Sequence, residues 1–380
     1  MTKITTPVPI VEFGSTHVRL AIYDKFILNQ NLSYEKKIDF TKNNIDLDDH
    51  PIFDLIINAE KDIDQHLNEI LLVLDSSSIY SLDFSIKKNY ENKKITNNEL
   101  NYLIRECENI IKLYNKDKDI LHIFPSKIIC DDVEIYDAKN ISRKVYNAII
   151  ELKFIMINKN NINIIRTLLL KKHISLKEIY CASYIKSLGL INKLEITGYS
   201  SFIDIGLKKS SLLIFDDKKL LYLNTIHIGG DSITKDISKV LNFDYRKAEA
   251  EKLKFSKTNK LESETEDNKL LRKIINSRLE EIIDLLFLIC PLVKKNFFDN
   301  NLKLFFTGNG SKVLNKNLLS FGSELNFIND MSIIEENSKD CCDAAIKFNK
   351  STEKTQLKKD KIGFENVGFF EKLFEYFSNK

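Results

Sequence analysis

Val11-Glu12-Phe13-Gly14, followed by Leu20-Ala21-Ile22-Tyr23-Asp24-Lys25, returns later in the chain as Ile203-Asp204-Ile205-Gly206 followed by Leu212-Leu213-Ile214-Phe215-Asp216-Asp217-Lys218. Glu12 and Asp204 lie 192 positions apart, and the same spacing separates Gly14 from Gly206, Leu20 from Leu212, Ile22 from Ile214 and Asp24 from Asp216. Each copy is an apolar run, a glycine-bearing turn and a second apolar run, which is the pattern of a β-hairpin. Each sets a carboxylate near the end of its first strand and a glycine two residues on. A glycine turn lets backbone N–H groups approach an anion with no Cβ in the way. A neighbouring carboxylate can hold Mg²⁺ through water, because Mg²⁺ keeps several of its waters. Two such hairpins facing each other would clamp the phosphates of a nucleotide. The plainer alternative is two unrelated hairpins in an Ile/Leu-rich chain.

Outward from the second hairpin, Leu220–Leu223 extends it into a meander. His227-Ile228-Gly229-Gly230-Asp231-Ser232 then opens a helical pattern at Ile233, Ile237, Val240 and Leu241. A Gly-Gly turn with Asp and Ser at a helix start is either an anion-friendly helix N-terminus or ordinary capping. Phe243–Leu253 reads as a helix with Glu249 and Lys252 on one face, which a surface ion pair would also explain. Ser256–Lys269 reads as a loop and Leu270–Cys290 as a long amphipathic helix. Leu302–Phe306 is a strand that runs into Thr307-Gly308-Asn309-Gly310-Ser311 and then a helix, a common nucleotide-contact geometry.

In the first half, Leu71–Leu74 is an apolar strand. Thr96-Asn97-Asn98-Glu99 is a capping box that opens a helix with Leu100, Leu103, Ile104, Cys107, Ile110 and Ile111 on one face. Strands are predicted at Ile120–Phe124, Lys127–Cys130 and Lys144–Ile157, so 81–157 reads as an α+β insert. Asn161–Lys172 and Ile179–Leu188 read as helices, the second stopped by Gly189.

The chain has 380 residues with a net charge of +3, and 43% of them are hydrophobic. That length suggests two or three structural units, and so even a charge balance argues against a nucleic-acid binder. Cys107, Cys130, Cys181, Cys290, Cys341 and Cys342 form no C-x-x-C, so neither a disulfide framework nor a zinc site is expected. No run of ~18 apolar residues marks a membrane span. The first ten residues show no basic stretch leading into an apolar one, so no signal peptide is expected. Near the end, Lys350, Lys354, Lys358, Lys359 and Lys361 outnumber Glu353 and Asp360 in what reads as a flexible linker over 351–363. Residues 364–380 then read as an amphipathic helix with Phe369, Phe370, Leu373, Phe374, Tyr376 and Phe377 on one side. Such a helix could dock on its own domain, fill a partner's groove or lie in a membrane interface. The lysines before it favour an anionic membrane surface.

Taken in order, the duplicated hairpins, the Gly229–Ser232 helix start, the Glu249/Lys252 pair and the Thr307–Ser311 turn resemble the nucleotide-binding segments of the actin, chaperone and sugar-kinase superfamily. Leu121-His122-Ile123-Phe124-Pro125, Gly229–Ile237 and Gly368-Phe369-Phe370-Glu371-Lys372-Leu373 narrow the resemblance to the FtsA family of bacterial cell-division proteins. The resemblance implies an α/β fold of duplicated actin-like (ribonuclease H-like) domains around a nucleotide cleft. The first domain would be 1–80 with 158–196 and 338–350. The second would be 197–337, with 81–157 the family-specific insert and 364–380 a membrane-targeting helix. It further implies ATP and Mg²⁺ as cofactors. Glu12, Gly14, Ser15 and Thr16 would form the first phosphate loop and Asp204 and Gly206 the second, with Glu12 and Asp204 meeting the metal through water. Gly229 and Gly230 would lie near the phosphates, Glu249 and Lys252 at the adenosine, and Gly308, Asn309 and Gly310 beneath it. Phe369, Phe370, Leu373, Phe374 and Phe377 would enter the membrane.

The partners implied are the C-terminal peptide of the tubulin-like protein FtsZ, further copies of this chain in filaments, other division proteins and an anionic membrane surface. The location implied is the division site on the cytoplasmic side of the inner membrane. The second loop departs from the family's run of three glycines, because Leu207, Lys208 and Lys209 follow Gly206. Asn309 stands where glycine is usual, and the tail lacks the usual Trp and Arg. Weak or no hydrolysis is therefore expected, at most a weak ATPase. A pilus-assembly adaptor of the same fold and a small-molecule kinase of the same superfamily are the alternative readings.

Overall fold

A computed structural model describes residues 4, 6–26, 31–38, 50–135, 143–258, 265–293, 302–314 and 328–360. The chain divides into two units, 1–189 with 339–380, and 190–338.

The first unit opens with β1 (Pro7–Phe13) and β2 (His17–Asp24), the first of the two hairpins, and β3 (Asn31–Lys37). β1 pairs antiparallel with β2 in the register Glu12↔Arg19 and Phe13↔Val18, and β2 pairs with β3 in the register Arg19↔Glu35. Helix α1 (Ile52–Ile63) leads to β4 (Glu69–Leu74), which lies parallel to β1. The insert follows as β5 (Tyr80–Ile95), α2 (Asn97–Tyr114), β6 (Lys118–Cys130), β7 (Val133–Glu134) and β8 (Arg143–Asn158). Its strands form a separate antiparallel sheet in the order β5-β8-β6-β7. Helix α3 (Lys159–Leu170) leads to β9 (Ser175–Cys181), parallel to β4, and α4 (Ala182–Leu194) follows. The main sheet thus has the order β3-β2-β1-β4-β9.

The second unit repeats this plan. β10 (Tyr199–Ile205), β11 (Ser210–Asp216) and β12 (Lys219–Ile226) form the antiparallel meander. After α5 (Gly230–Val240), α6 (Tyr245–Thr258) and α7 (Glu266–Leu288) come β13 (Leu302–Thr307), a 3-10 turn at Asn309–Val313 and β14 (Ile328–Ile333). The order is β12-β11-β10-β13-β14, with β13 parallel to both β10 and β14. The two sheets share one strand order, and their hairpins share one register: Ile205↔Ser210 and Asp204↔Ser211 are Phe13↔Val18 and Glu12↔Arg19 moved by the 192-residue spacing. This is the duplicated actin-like α/β fold.

Alternation explains the layers. Ile203, Ile205, Leu212 and Ile214 point to one face of the second sheet, where Leu271, Ile275, Leu279, Ile282, Ile283 and Leu286 of α7 cover them. Each large apolar side chain so buried contributes roughly 1.5–3 kcal/mol. Phe202 faces the other way, stacked on Phe305 at 5.1 Å and edge-on to Phe215 at 5.8 Å. In the insert, the capping box forms as expected: Thr96 N–H donates to Glu99 Oε2 (2.7 Å) and Glu99 N–H to Thr96 Oγ1 (3.5 Å). It starts α2 in phase for Leu100, Leu103, Ile104, Cys107 and Ile111 to pack on the insert sheet.

Five expectations are corrected. The two strands expected at Ile120–Phe124 and Lys127–Cys130 are one strand, β6, whose register shifts at Ile120/His122 and Pro125/Lys127. Pro125 has no N–H for the ladder, so the chain slips there without ending. The helix expected from Ile179 begins at Ala182, because Ile179–Cys181 completes β9. That helix also runs through Gly189 to Leu194. Gly189 is a packing glycine, since a Cβ there would stand 2.9 Å from Ala344 Cβ. Ala344 belongs to the last described helix, α8 (Asp340–Asp360), which returns to the first unit. α8 continues through ten residues where a linker is expected, while 361–363 and the expected tail helix, with Phe369, Phe370, Leu373, Phe374 and Phe377, lie outside the described residues. The loop expected over Ser256–Lys269 is likewise shortened from both sides, by α6 to Thr258 and α7 from Glu266. Among the described residues no helix is long and apolar enough to cross a membrane.

Candidate functional site

In the second unit, Asp204, Gly206, Gly229, Gly230, Glu249, Lys252, Gly308 and Gly310 come together around the β10–β11 turn. The turn closes with the Gly206 N–H donating to Lys209 O at 2.9 Å. The start of α5 packs directly behind it. A Cβ on Gly229 would lie 2.7 Å from both Gly206 O and Leu207 O, so only glycine admits this approach. The amides of Gly230 and Asp231 then donate to Gly206 O (2.9 Å) and Leu207 O (2.8 Å). The helix N-terminus, read as either anion-friendly or ordinarily capped, directs the Gly230 and Asp231 donors at the chain's own carbonyls. The turn's carbonyls are held back against α5, and none of the described backbone hydrogen bonds uses the amides of Leu207 and Lys208.

The Thr307–Ser311 turn closes the third side. Gly308 has φ +83°, a left-handed conformation that favours glycine, and a Cβ there would collide with Asp204 Oδ1. A Cβ on Gly310 would stand 2.5 Å from Ile205 Cγ2 and 2.8 Å from Ile205 O. Asn309, between them, opens the 3-10 turn.

Lys252 is the fastener beneath. Its side chain is 7% exposed, and its ammonium donates to Gly230 O (2.9 Å) and Thr234 Oγ1 (2.7 Å) while meeting Glu249 Oε2 at 2.7 Å. Thr234 Oγ1 in turn donates to Glu249. An ammonium has three donors, and all three are engaged. Buried Lys252, with half-buried Glu249 beside it, therefore clamps α5 to α6. Two further pairs hold α5: Tyr245 O–H donates to Asp231 Oδ1 (2.6 Å), and Arg278 forks onto both carboxylate oxygens of Asp236 (2.6 and 3.0 Å). Burial pushes the Asp231 carboxyl up, but hydrogen bonds from Lys235 and Tyr245 outweigh it and hold its pKa below the ordinary carboxylate value.

In the first unit the matching turn has the same closure, Gly14 N–H donating to His17 O at 3.0 Å. Thr16 Oγ1 lies 2.9 Å from His17 Nδ1, and Thr16 O accepts from Ile38 N–H at 2.8 Å. Glu12 meets Arg19 Nη1 at 3.1 Å, and Arg19 Nη2 reaches Glu35 Oε1 at 3.0 Å. Burial disfavours the Arg19 cation, but Glu12 and Glu35 outweigh it and raise its pKa. Among the described residues no three His, Cys, Asp or Glu side chains gather as they would around a metal ion.

Three contributors escape a reading of the sequence. Thr234 gives no signal beyond lying one helical turn after Gly230. Arg19 is visible only once the strand register is known, since it then stands opposite Glu12, and Lys209, noted in the sequence only for departing from the glycine run, lies before β11 with its ammonium on Ser211, the residue opposite Asp204.

The strand order and the glycine-lined turn define an actin-like fold built from two halves of one plan. Residues 201–348 match the family described as cell division protein FtsA. Two proteins of that name from Helicobacter pylori (strains ATCC 700392 / 26695 and J99 / ATCC 700824) are each 26% identical over 141 residues, which is 37% of this chain. The match spans 28% of the length of those relatives. Among solved structures, the PilM-PilN type IV pilus biogenesis complex is similar in fold, with a TM-score of 0.56 at 12% identity over 88% of this chain and 89% of that one.

Proposed function

We propose that the protein is an FtsA-type division scaffold. It would tether FtsZ filaments to the inner face of the cytoplasmic membrane, associate with further copies of itself and with other division proteins, and bind ATP with weak or no hydrolysis. The observation that supports this most is the place of the FtsA-type match, which runs from Ser201 within β10 through β14 into α8 and takes in the glycine-tight turn. In this reading the Leu207 and Lys208 amides meet phosphate oxygens, and α5 keeps the turn's carbonyls away from them. Glu249 and Lys252 act one layer behind, by fixing α5 to α6. ATP would supply a switchable anion that orders the turn. The membrane contact would come from Phe369, Phe370, Leu373, Phe374 and Phe377.

The deciding experiment is a pull-down of the full chain with the C-terminal peptide of FtsZ, run beside liposome co-sedimentation of the full chain and of a chain ending at Gly363. Capture by the peptide, with pelleting only of the full chain, supports the tether. A blank pull-down favours the pilus-assembly adaptor, which shares the fold. Equal pelleting of both chains removes the membrane role of the tail. ATP turnover raised by a sugar or an acid would instead favour the kinase reading.

A further inference from the structure

The rung that carries the acidic residue is the same in both halves. In the first unit Glu12 pairs across the ladder with Arg19, and Arg19 with Glu35. In the second, Asp204 pairs with Ser211, and Ser211 with Thr225. The first rung holds its own cation, with the Arg19 guanidinium 3.1 Å from Glu12 Oε2 and 3.0 Å from Glu35 Oε1. In the second rung Ser211 replaces the arginine, and the cation arrives from two residues earlier. Lys209 Nζ donates to Ser211 Oγ at 2.9 Å, and Ser211 Oγ lies 3.2 Å from Thr225 Oγ1. Lys209 lies in the turn just before β11 and reaches forward to Ser211, and Asp204 stands directly opposite Ser211 in the ladder, where the Cβ atoms of paired residues are ~5 Å apart. Lys209 is 6% exposed and Asp204 4% exposed, so the lysine that reaches Ser211 and the carboxylate paired across the ladder from Ser211 are both buried.

A divalent cation held at either acid through water would therefore share its position with a fixed positive charge. Like charges in a poorly solvated place repel strongly, and neither basic group can step aside without leaving partners unpaired. We infer that the chain supplies the cation at both acidic positions itself, Arg19 at Glu12 and Lys209 at the Asp204 rung, so that a polyphosphate is bound without Mg²⁺. Lys208, on the same turn, adds a second positive charge beside the amides of Leu207 and Lys208. A metal-free nucleotide, which is more negative than its Mg²⁺ complex, is the matching ligand. The identity of that ligand rests on the nucleotide reading above, whereas the cation assignment rests on the two rungs alone.

The test has two arms on the full chain. The first titrates Mn²⁺ alone and reads bound metal by electron paramagnetic resonance. Wild type is expected to load none stoichiometrically, and Lys209→Ser to gain affinity for it. One Mn²⁺ per chain in wild type that disappears in Asp204→Asn overturns the assignment, and this wild-type result stands whether or not Lys209→Ser folds. The second arm measures ATP binding by calorimetry in EDTA and in Mg²⁺. Equal or tighter binding in EDTA is expected, and a loss of about tenfold or more in EDTA overturns the inference. If ATP binds in neither buffer, the nucleotide reading fails, and the Mn²⁺ arm still decides who supplies the cation.

Discussion

Lys252 shows how little of its role a residue's identity conveys. A Lys three positions after a Glu on a helix is usually a surface ion pair worth a few tenths of a kcal/mol. Here its ammonium sits beneath Gly230, engaged by Gly230 O, Thr234 Oγ1 and Glu249. Lys252→Met is expected to lower stability by about 2–4 kcal/mol, because it takes from Glu249 its cation and from Gly230 O and Thr234 the ammonium's hydrogen bonds, leaving the threonine hydroxyl as the remaining side-chain donor. Urea denaturation of the full chain checks this, and a variant that keeps its midpoint but loses ATP binding would show Lys252 to be a ligand contact instead. His122 is the other telling case. It is fully buried among Phe124, Tyr180, Tyr184 and Phe348, and its Nε2 accepts from the Cys181 N–H at 3.0 Å. Burial pushes its pKa down from 6.5 to about 3. As pH falls below 6.5 the unfolded chain takes up a proton that the folded chain refuses. Stability is therefore fully present above pH 6.5 and is lost toward pH 3, at up to ~1.4 kcal/mol per pH unit. His122→Phe fits the aromatic surroundings but strips Cys181 of its acceptor, costing about 1–3 kcal/mol at neutral pH. The two stability curves are expected to converge as the solution is acidified. Parallel curves from pH 7 to pH 4 would mean that His122 accepts its proton without cost.

At the level of helices and strands, the sequence was legible wherever the deciding partner is close in the chain. Thr96 and Glu99 define a helix start within four residues, and the capping box forms as read. Thr96→Ala is expected to cost ~1 kcal/mol, read as a lower melting temperature of the full chain. Gly189 was misread because its partner, Ala344, is more than 150 positions away. A glycine after an apolar helical run is usually a stop, and nothing nearby announces that α8 returns to press on it. Pro125 likewise reads as a strand end until the neighbouring β8 is seen to carry the ladder past it. The Gly189 account predicts a non-additive pair. Gly189→Ala should gain up to ~1 kcal/mol of helix propensity, yet is expected to destabilise by about 1–3 kcal/mol through overpacking on Ala344. Combining it with Ala344→Gly should recover that loss. If Gly189→Ala alone is neutral or stabilising, α4 and α8 are not in the close contact described.

On the scale of the molecule, the 192-residue spacing exposed the duplication because a hairpin's register ties every residue of one strand to a residue of the next. The same logic could not reach α8, which joins a unit most of whose residues lie before Gly189. Its side chains explain the return. Cys341, Cys342, Ala345, Ile346 and Phe348 are buried, Tyr23 O–H donates to Asp343 Oδ1 at 2.5 Å, and Tyr180 O–H donates to Asn349 Oδ1 at 3.0 Å. The first unit therefore completes its core with residues that follow the whole of the second in sequence. The second draws its core from β10 to β14 and the helices between. A chain ending at Ser338 should then lose several kcal/mol from the first unit alone, at roughly 1.5–3 kcal/mol per large apolar side chain exposed. Hydrogen exchange resolves the two. Protection is expected to fall in β1, β2, β4, β9 and the first turns of α4, while β10, β11, β13 and α5 keep theirs, because their ladders and their cover by α7 are untouched. Equal loss in both sets would mean that the halves unfold as one cooperative body, and that the second unit depends on the first for its stability.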